Sequence, residues 1–110
     1  MKDSLSLFRR PARPLRGVPM IGSREIAAYV GRLVQVEGLV ATARNVVTED
    51  GRPVQFVTLE DGHGLVEVTL FDGTCAQTPY LTLGPYVATG VIEERYGACT
   101  LTARTFTSCP

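Results

Sequence analysis

From residue 56 to residue 71 the chain reads Phe-Val-Thr-Leu-Glu-Asp-Gly-His-Gly-Leu-Val-Glu-Val-Thr-Leu-Phe. Two alternating runs flank a Glu-Asp-Gly-His-Gly turn, and few folds accept that pattern. Successive side chains of a strand point to opposite faces. The period-2 rule therefore turns Val57, Leu59, Val66, Val68 and Leu70 inward, and Phe56, Thr58, Glu67, Thr69 and Phe71 outward. The result is a hairpin with one wholly apolar face and an aromatic residue on the other face of each strand. Two outward phenylalanines are a costly way to build a solvated surface. They are an effective way to build a platform on which flat rings stack.

At 110 residues the chain is one domain at most, too short for a polymerase or kinase catalytic body. Its hydrophobic content of 45% fits a globular protein. No apolar run approaches the ~18 residues that span a membrane. No apolar segment follows Lys2 in the manner of a secretory signal. Cys75, Cys99 and Cys109 form an odd set without C-x-x-C spacing, and His63 is the one histidine. A structural zinc site is therefore not expected, and a reducing, cytoplasmic setting is. Eleven basic and eleven acidic residues leave no net charge. That balance argues against strong non-specific binding to nucleic acid, whose affinity comes from neutralising phosphates.

The charges are unevenly placed. Residues 2–16 hold five basic groups (Lys2, Arg9, Arg10, Arg13, Arg16) against Asp3 alone, and prolines stand at 11, 14 and 19. Residues 1–22 therefore read as an extended basic, proline-rich arm or linker, either a tether to another domain or a strap along a phosphate backbone. A short helix is expected next. Ser23 is placed to cap it, Glu25 lies in its first turn, and Gly31 closes it. Ile26, Tyr29 and Val30 form its apolar face, which would plug a barrel.

Five strands are expected in residues 23–110. Leu33–Val47 is the first, with Gly38 permitting the bend that lets one strand serve two sheets. A Glu49–Pro53 hairpin loop leads to Val54–Leu59, and Leu65–Phe71 follows. Asp72–Leu83 reads as an imperfect helical connector broken by Pro79. Tyr86–Arg95 and Cys99–Phe106 form a last hairpin around Tyr96-Gly97-Ala98. This order suits an all-β fold, a five-stranded Greek-key barrel of the OB type with an N-terminal helix and an extended arm.

The same residues carry a family resemblance. Tyr29-Val30-Gly31-Arg32 leads into Val34-x-Val36-x-Gly38. Then come Gly51-Arg52-Pro53, Phe56-Val57-Thr58-Leu59-Glu60-Asp61, Gly64-x-Val66-Glu67-Val68, and Gly84-Pro85-Tyr86 running to Gly90. From about Ser23 to Phe106 this ordered set resembles the OB domain of the bacterial DNA polymerase III alpha subunit, including its error-prone relatives. The hairpin piece alone also resembles the anticodon-binding OB domain of class II aminoacyl-tRNA synthetases. The polymerase resemblance implies a non-catalytic module that binds single-stranded DNA in replication or repair. The chain departs from that family in its connector, which lacks the usual aromatic and basic residues, and at Val91, where the family often has arginine. It also carries no palm, thumb or helix-hairpin-helix region.

OB-folds bind across strands 2 and 3, bounded by the loops between strands 1 and 2 and between strands 4 and 5. That nominates Phe56 and Phe71 for stacking, with Tyr96 at the rim. Each stacked base contributes ~1–3 kcal/mol. Arg44, Arg52, Arg95 and Arg104 are placed to meet phosphates, and Thr58 and Thr69 to hydrogen-bond sugars or base edges. The competing role for the phenylalanines is packing, Phe56 under the 49–53 loop and Phe71 over the barrel end. Glu67 lies mid-platform, where it repels phosphate and can accept from a base amino group. Weak binding is expected.

A second signal is Ser4-Leu5-Ser6-Leu7-Phe8, which resembles the short peptide by which bacterial polymerases and repair factors dock on the sliding clamp. Leu5, Leu7 and Phe8 would fill an apolar pocket. The leading glutamine of that peptide is absent, and the same residues could fold back on the domain. Catalysis is not expected. His63 is isolated in a turn, Cys75 and Cys99 have no second histidine to activate them, and Glu60-Asp61 and Glu93-Glu94 point to opposite faces. No cofactor or metal is implied. The expected partners are single-stranded DNA and, through the arm, the sliding clamp or other replisome or repair proteins. The alternatives are a protein-interaction barrel without DNA binding and an anticodon-type RNA binder. A continuous positive track from Arg44 past Phe56 to Arg104 would favour DNA, and a charge mosaic would favour protein.

Overall fold

A computed structural model describes residues 17–71 and 84–108. The expected connector 72–83, the first sixteen residues of the arm with Leu5, Leu7 and Phe8, and Cys75 and Cys109 lie outside the described residues. Five strands follow a short helix: β1 (Leu33–Val47), β2 (Pro53–Glu60), β3 (Leu65–Phe71), β4 (Tyr86–Arg95) and β5 (Ala98–Ser108). They close into a barrel in the order β1-β2-β3-β5-β4. All pairs are antiparallel except β3 with β5. This is the all-β, five-stranded OB-type barrel that the strand pattern calls for. Three of the five strands have the expected bounds, while β2 and β5 each extend a little beyond them.

Barrel closure depends on β1 serving two neighbours. Leu33–Gly38 pairs with β4 and Leu39–Val47 pairs with β2. The change of partner falls at Gly38, where an added Cβ would lie 2.8 Å from the Glu60 carbonyl oxygen. Gly90 is tighter still, since a Cβ there would sit 2.0 Å from the Thr102 carbonyl oxygen, beside a register irregularity between β4 and β5. Only glycine fits so close an approach of two backbones. At the β4–β5 turn Tyr96 and Gly97 both have positive φ (55° and 80°). That is the type I′ geometry whose twist matches paired strands.

Val57, Leu59, Val66, Val68 and Leu70 are all buried, as the alternation requires. With Val34, Val36, Ile92 and Leu101 they form the core, and Tyr86 stacks on Phe106 at 4.7 Å between ring centroids. Burying each such aliphatic side chain contributes about 1.5–3 kcal/mol.

The helix differs from expectation in two respects. It is a 3₁₀ helix over Ser23–Tyr29, and its N-cap is Gly22, not Ser23. Three residues per turn stack i on i+3 and swing i+4 off the face. Ile26 is therefore buried and Tyr29 packs partly on the core, while Val30 is exposed and instead pairs its backbone with Ile92. Of the expected arm, residues 17–22 lie against the barrel. Met20 bridges to Gln35, Gln35 donates its backbone N–H to the Pro19 carbonyl, and Ile21 is buried in the core cluster. Among the described residues no helix is long and apolar enough to cross a membrane.

Candidate nucleic-acid interface

The outward face of β2 and β3 is set by their register. Phe56 lies opposite Thr69, Thr58 opposite Glu67, and Val54 opposite Phe71. On one side β1 extends this face, with Arg44 opposite Phe56 and Val46 opposite Val54. On the other side β5 runs parallel to β3 with Thr102 beside Thr69, and β4 brings Glu93 opposite Thr100. Directly opposed residues stand close enough for side chains to touch. The five strands thus form a groove of about 270 Å³ whose lining includes Phe56, Glu67, Thr69, Phe71, Glu93 and Arg95.

The two platform rings differ. Phe71 is 44% exposed and flanks the groove with an open face. Phe56 is half-buried, and the Arg44 guanidinium carbon lies 4.6 Å from its ring centroid. Such a contact holds the cation over the ring and is worth about 0.5–1 kcal/mol at an exposed site. A base arriving at Phe56 therefore stacks on the guanidinium plane above the ring or displaces it.

Polar groups along the groove engage one another. Thr69 points outward, yet neighbouring β5 leaves it only 6% exposed, and its hydroxyl lies 3.2 Å from that of Thr100. The Thr102 hydroxyl donates to the Glu93 carboxylate at 3.0 Å, and Arg95 lies 3.5 Å from the same carboxylate. At the β1–β2 loop Arg52 is 3.6 Å from Asp50, and the Thr48 hydroxyl donates to Asp50. Glu67 is exposed and makes no hydrogen bond or ion pair with another described residue.

The groove gathers Phe56, Thr69, Phe71 and Arg95 from the residues nominated by sequence, with Arg44 on the Phe56 ring. Thr58 shares their face but is not part of the lining. Arg52, Tyr96 and Arg104 are exposed outside it, Tyr96 fully so at the tip of the β4–β5 turn. Thr48, Glu93, Thr100 and Thr102 line it without having been nominated. For Glu93, Thr100 and Thr102, outward parity on β4 and β5 was the available signal, but only the parallel β3–β5 pairing turns that parity toward the platform; Thr48 follows the end of β1 and carried no such signal.

Among the described residues a larger cleft, about 620 Å³ around Gly38, is lined by Glu37, Glu60 and Asp61 with Leu39 and Pro85. Three carboxylates are the wrong charge for a polyanion, so the smaller groove is the candidate. Asp61 in fact has a structural task. Its Oδ1 accepts from the Ser23 hydroxyl and the His63 and Gly64 backbone N–H groups, and its Oδ2 from the Ser23 N–H. Burial alone would push this carboxyl up, but the bonds from Ser23, His63 and Gly64 together hold it below the ordinary aspartate range. Among the described residues no three of His, Cys, Asp and Glu converge to hold a metal ion.

No protein-family model matches the chain, and no curated protein matches it significantly in sequence. Solved structures do match in shape. A protein described as an aspartyl-tRNA synthetase from Leishmania major Friedlin superimposes with a TM-score of 0.66 at 14% identity, over 90% of this chain and 22% of its own. The asparaginyl-tRNA synthetase of Pyrococcus horikoshii, solved with asparaginyl-adenylate, gives 0.62 at 13% identity, over 80% of this chain and 21% of its own. The second OB-fold domain of replication protein A from Methanococcus maripaludis gives 0.59 at 12% identity, over 80% of this chain and 94% of its own. This chain thus spans about a fifth of either synthetase and nearly the whole of the replication protein A domain. At such identities the shared property is the fold, and this chain is an OB-fold barrel.

Proposed function

We propose that this chain is a non-catalytic module that binds single-stranded nucleic acid in the groove between the β1–β2 loop and the β4–β5 hairpin. The reading rests on one observation above others: Phe56 and Phe71 stand on the outward face of β2 and β3, both lining a groove of about 270 Å³. Phe71 offers an open ring, Phe56 carries Arg44, and Arg95 provides a cation inside the groove. The likeness to a replication protein A domain over most of that domain supports a single-strand ligand. The resemblance of the motif set to the polymerase III alpha subunit supports DNA, in replication or repair, as that ligand.

A second reading is RNA, favoured by the higher TM-scores of the two synthetases. Both readings imply weak binding. Arg52 and Arg95 stand beside Asp50 and Glu93, so the charges form a mosaic instead of the continuous positive track that would favour DNA, and on that criterion alone a protein-docking barrel is the competing reading.

Fluorescence anisotropy with a labelled mixed-sequence DNA strand and its RNA counterpart, at low and moderate salt, tests the proposal. Salt-sensitive binding that weakens about tenfold or more in Phe56→Ala supports it, since one stacked base contributes ~1–3 kcal/mol. Tighter binding of the RNA strand would move the ligand class. Failure of both strands to bind at low salt would overturn the proposal and leave a protein-docking barrel.

A further inference from the structure

Within that nucleic-acid reading, we propose that the groove selects bases bearing an exocyclic amino group, cytosine over thymine, and that Glu67 makes the selection. The groove's polar groups are mostly committed to one another. Thr69 and Thr100 share a hydrogen bond, and Glu93 accepts from Thr102 while standing beside Arg95, the one cation among the described residues of the lining. Glu67 differs. It is exposed, it lines the same groove, and no other described residue satisfies its carboxylate.

Its place in the register matters as much as its freedom. Glu67 is the neighbour of Thr69 along the outward row of β3, and Thr69 lies opposite Phe56. Phe71 stands at the far end of the same row. A base stacked on Phe71, or on the Arg44 guanidinium over Phe56, lies in the same groove that Glu67 lines.

An ionised carboxylate is an acceptor only. Cytosine brings the N4 amino donor to it, the pairing that a glutamate makes when it reads this base. Thymine brings O4 to the corresponding position, so acceptor faces acceptor and both lose water without gaining a partner. Discrimination therefore comes from a repulsive element as well as an attractive one. Glu67 also repels phosphates of any sequence, which lowers every affinity but leaves their ratio to report base reading.

The test measures affinities of labelled oligo-dC and oligo-dT of equal length, at neutral pH and fixed low salt, for wild type and Glu67→Gln. Glu67 is exposed, so the substitution spares the core. Oligo-dC is expected to bind about tenfold more tightly than oligo-dT to wild type. In E67Q the ratio should fall toward one, chiefly because oligo-dT gains, since an amide offers a donor as well as an acceptor. Equal affinities in wild type, or a preference that survives in E67Q, overturn this inference and leave the nucleic-acid reading intact. Absence of binding to either strand overturns the nucleic-acid reading itself.

Discussion

Single residues decide both what the groove offers and whether the barrel closes. Phe71 has an open ring flanking the groove, whereas Tyr96 is fully exposed on a turn outside it. Phe71→Ala is expected to weaken single-strand binding about fivefold or more, and Tyr96→Ala by less than about twofold, as read by anisotropy. Equal losses would mean that the turn, not the groove, carries the ligand. Gly90 answers to backbone packing alone. A methyl there would overlap the Thr102 carbonyl, so Gly90→Ala should cost about 3 kcal/mol or more in urea unfolding, or prevent folding. The platform phenylalanines were legible at this scale because alternation fixes which side of a strand a residue faces. The Arg44–Phe56 stack and the burial of Thr69 were not. Each depends on a neighbour from another strand, and for Thr69 that neighbour is β5, some thirty residues along the chain.

Between elements, the Asp61 carboxylate ties the helix N-terminus to the β2–β3 turn. Its partners are Ser23 on one side and His63 and Gly64 on the other. Asp61→Ala removes four hydrogen bonds from a partly exposed site and should cost about 1–3 kcal/mol. The pH dependence has a definite sign. The folded value lies below the ordinary 3.8, so this contribution is complete above the unfolded value and is lost as pH falls through the folded one. Wild type should therefore lose more stability than Asp61→Asn on acidification below about pH 4. Parallel unfolding curves for the two proteins would contradict the tie. Sequence pattern located the helix but not its type. An α-helical period groups Ile26 with Val30, whereas the tighter 3₁₀ turn leaves Ile26 and Tyr29 inward and turns Val30 out. Ser23 looked like a cap because serine is a good one, but its hydroxyl is engaged by an aspartate distant in sequence.

Across the whole molecule, closure of the barrel assembles a groove from strands that are far apart in the chain. The strand order was readable from alternation and turn residues. The groove's far wall was not, because Thr100, Thr102 and Glu93 join it only through the parallel β3–β5 pairing and the β4–β5 hairpin. Zero net charge and a rim of paired charges set the electrostatics. The salt dependence of single-strand binding should accordingly be shallow, with a slope in log–log form of about −1 to −2, since each neutralised phosphate contributes about −0.7. A much steeper slope would demand a cationic surface that the described residues do not form. The most direct test of the central claim is to follow backbone amide NMR shifts while adding a single-stranded DNA oligonucleotide at low salt. Shifts concentrated at Phe56, Glu67, Thr69, Phe71, Thr100 and Thr102 are the predicted result. Shifts confined to Glu37, Leu39, Glu60 and Gly62 around the other cleft, or none at all, would contradict it.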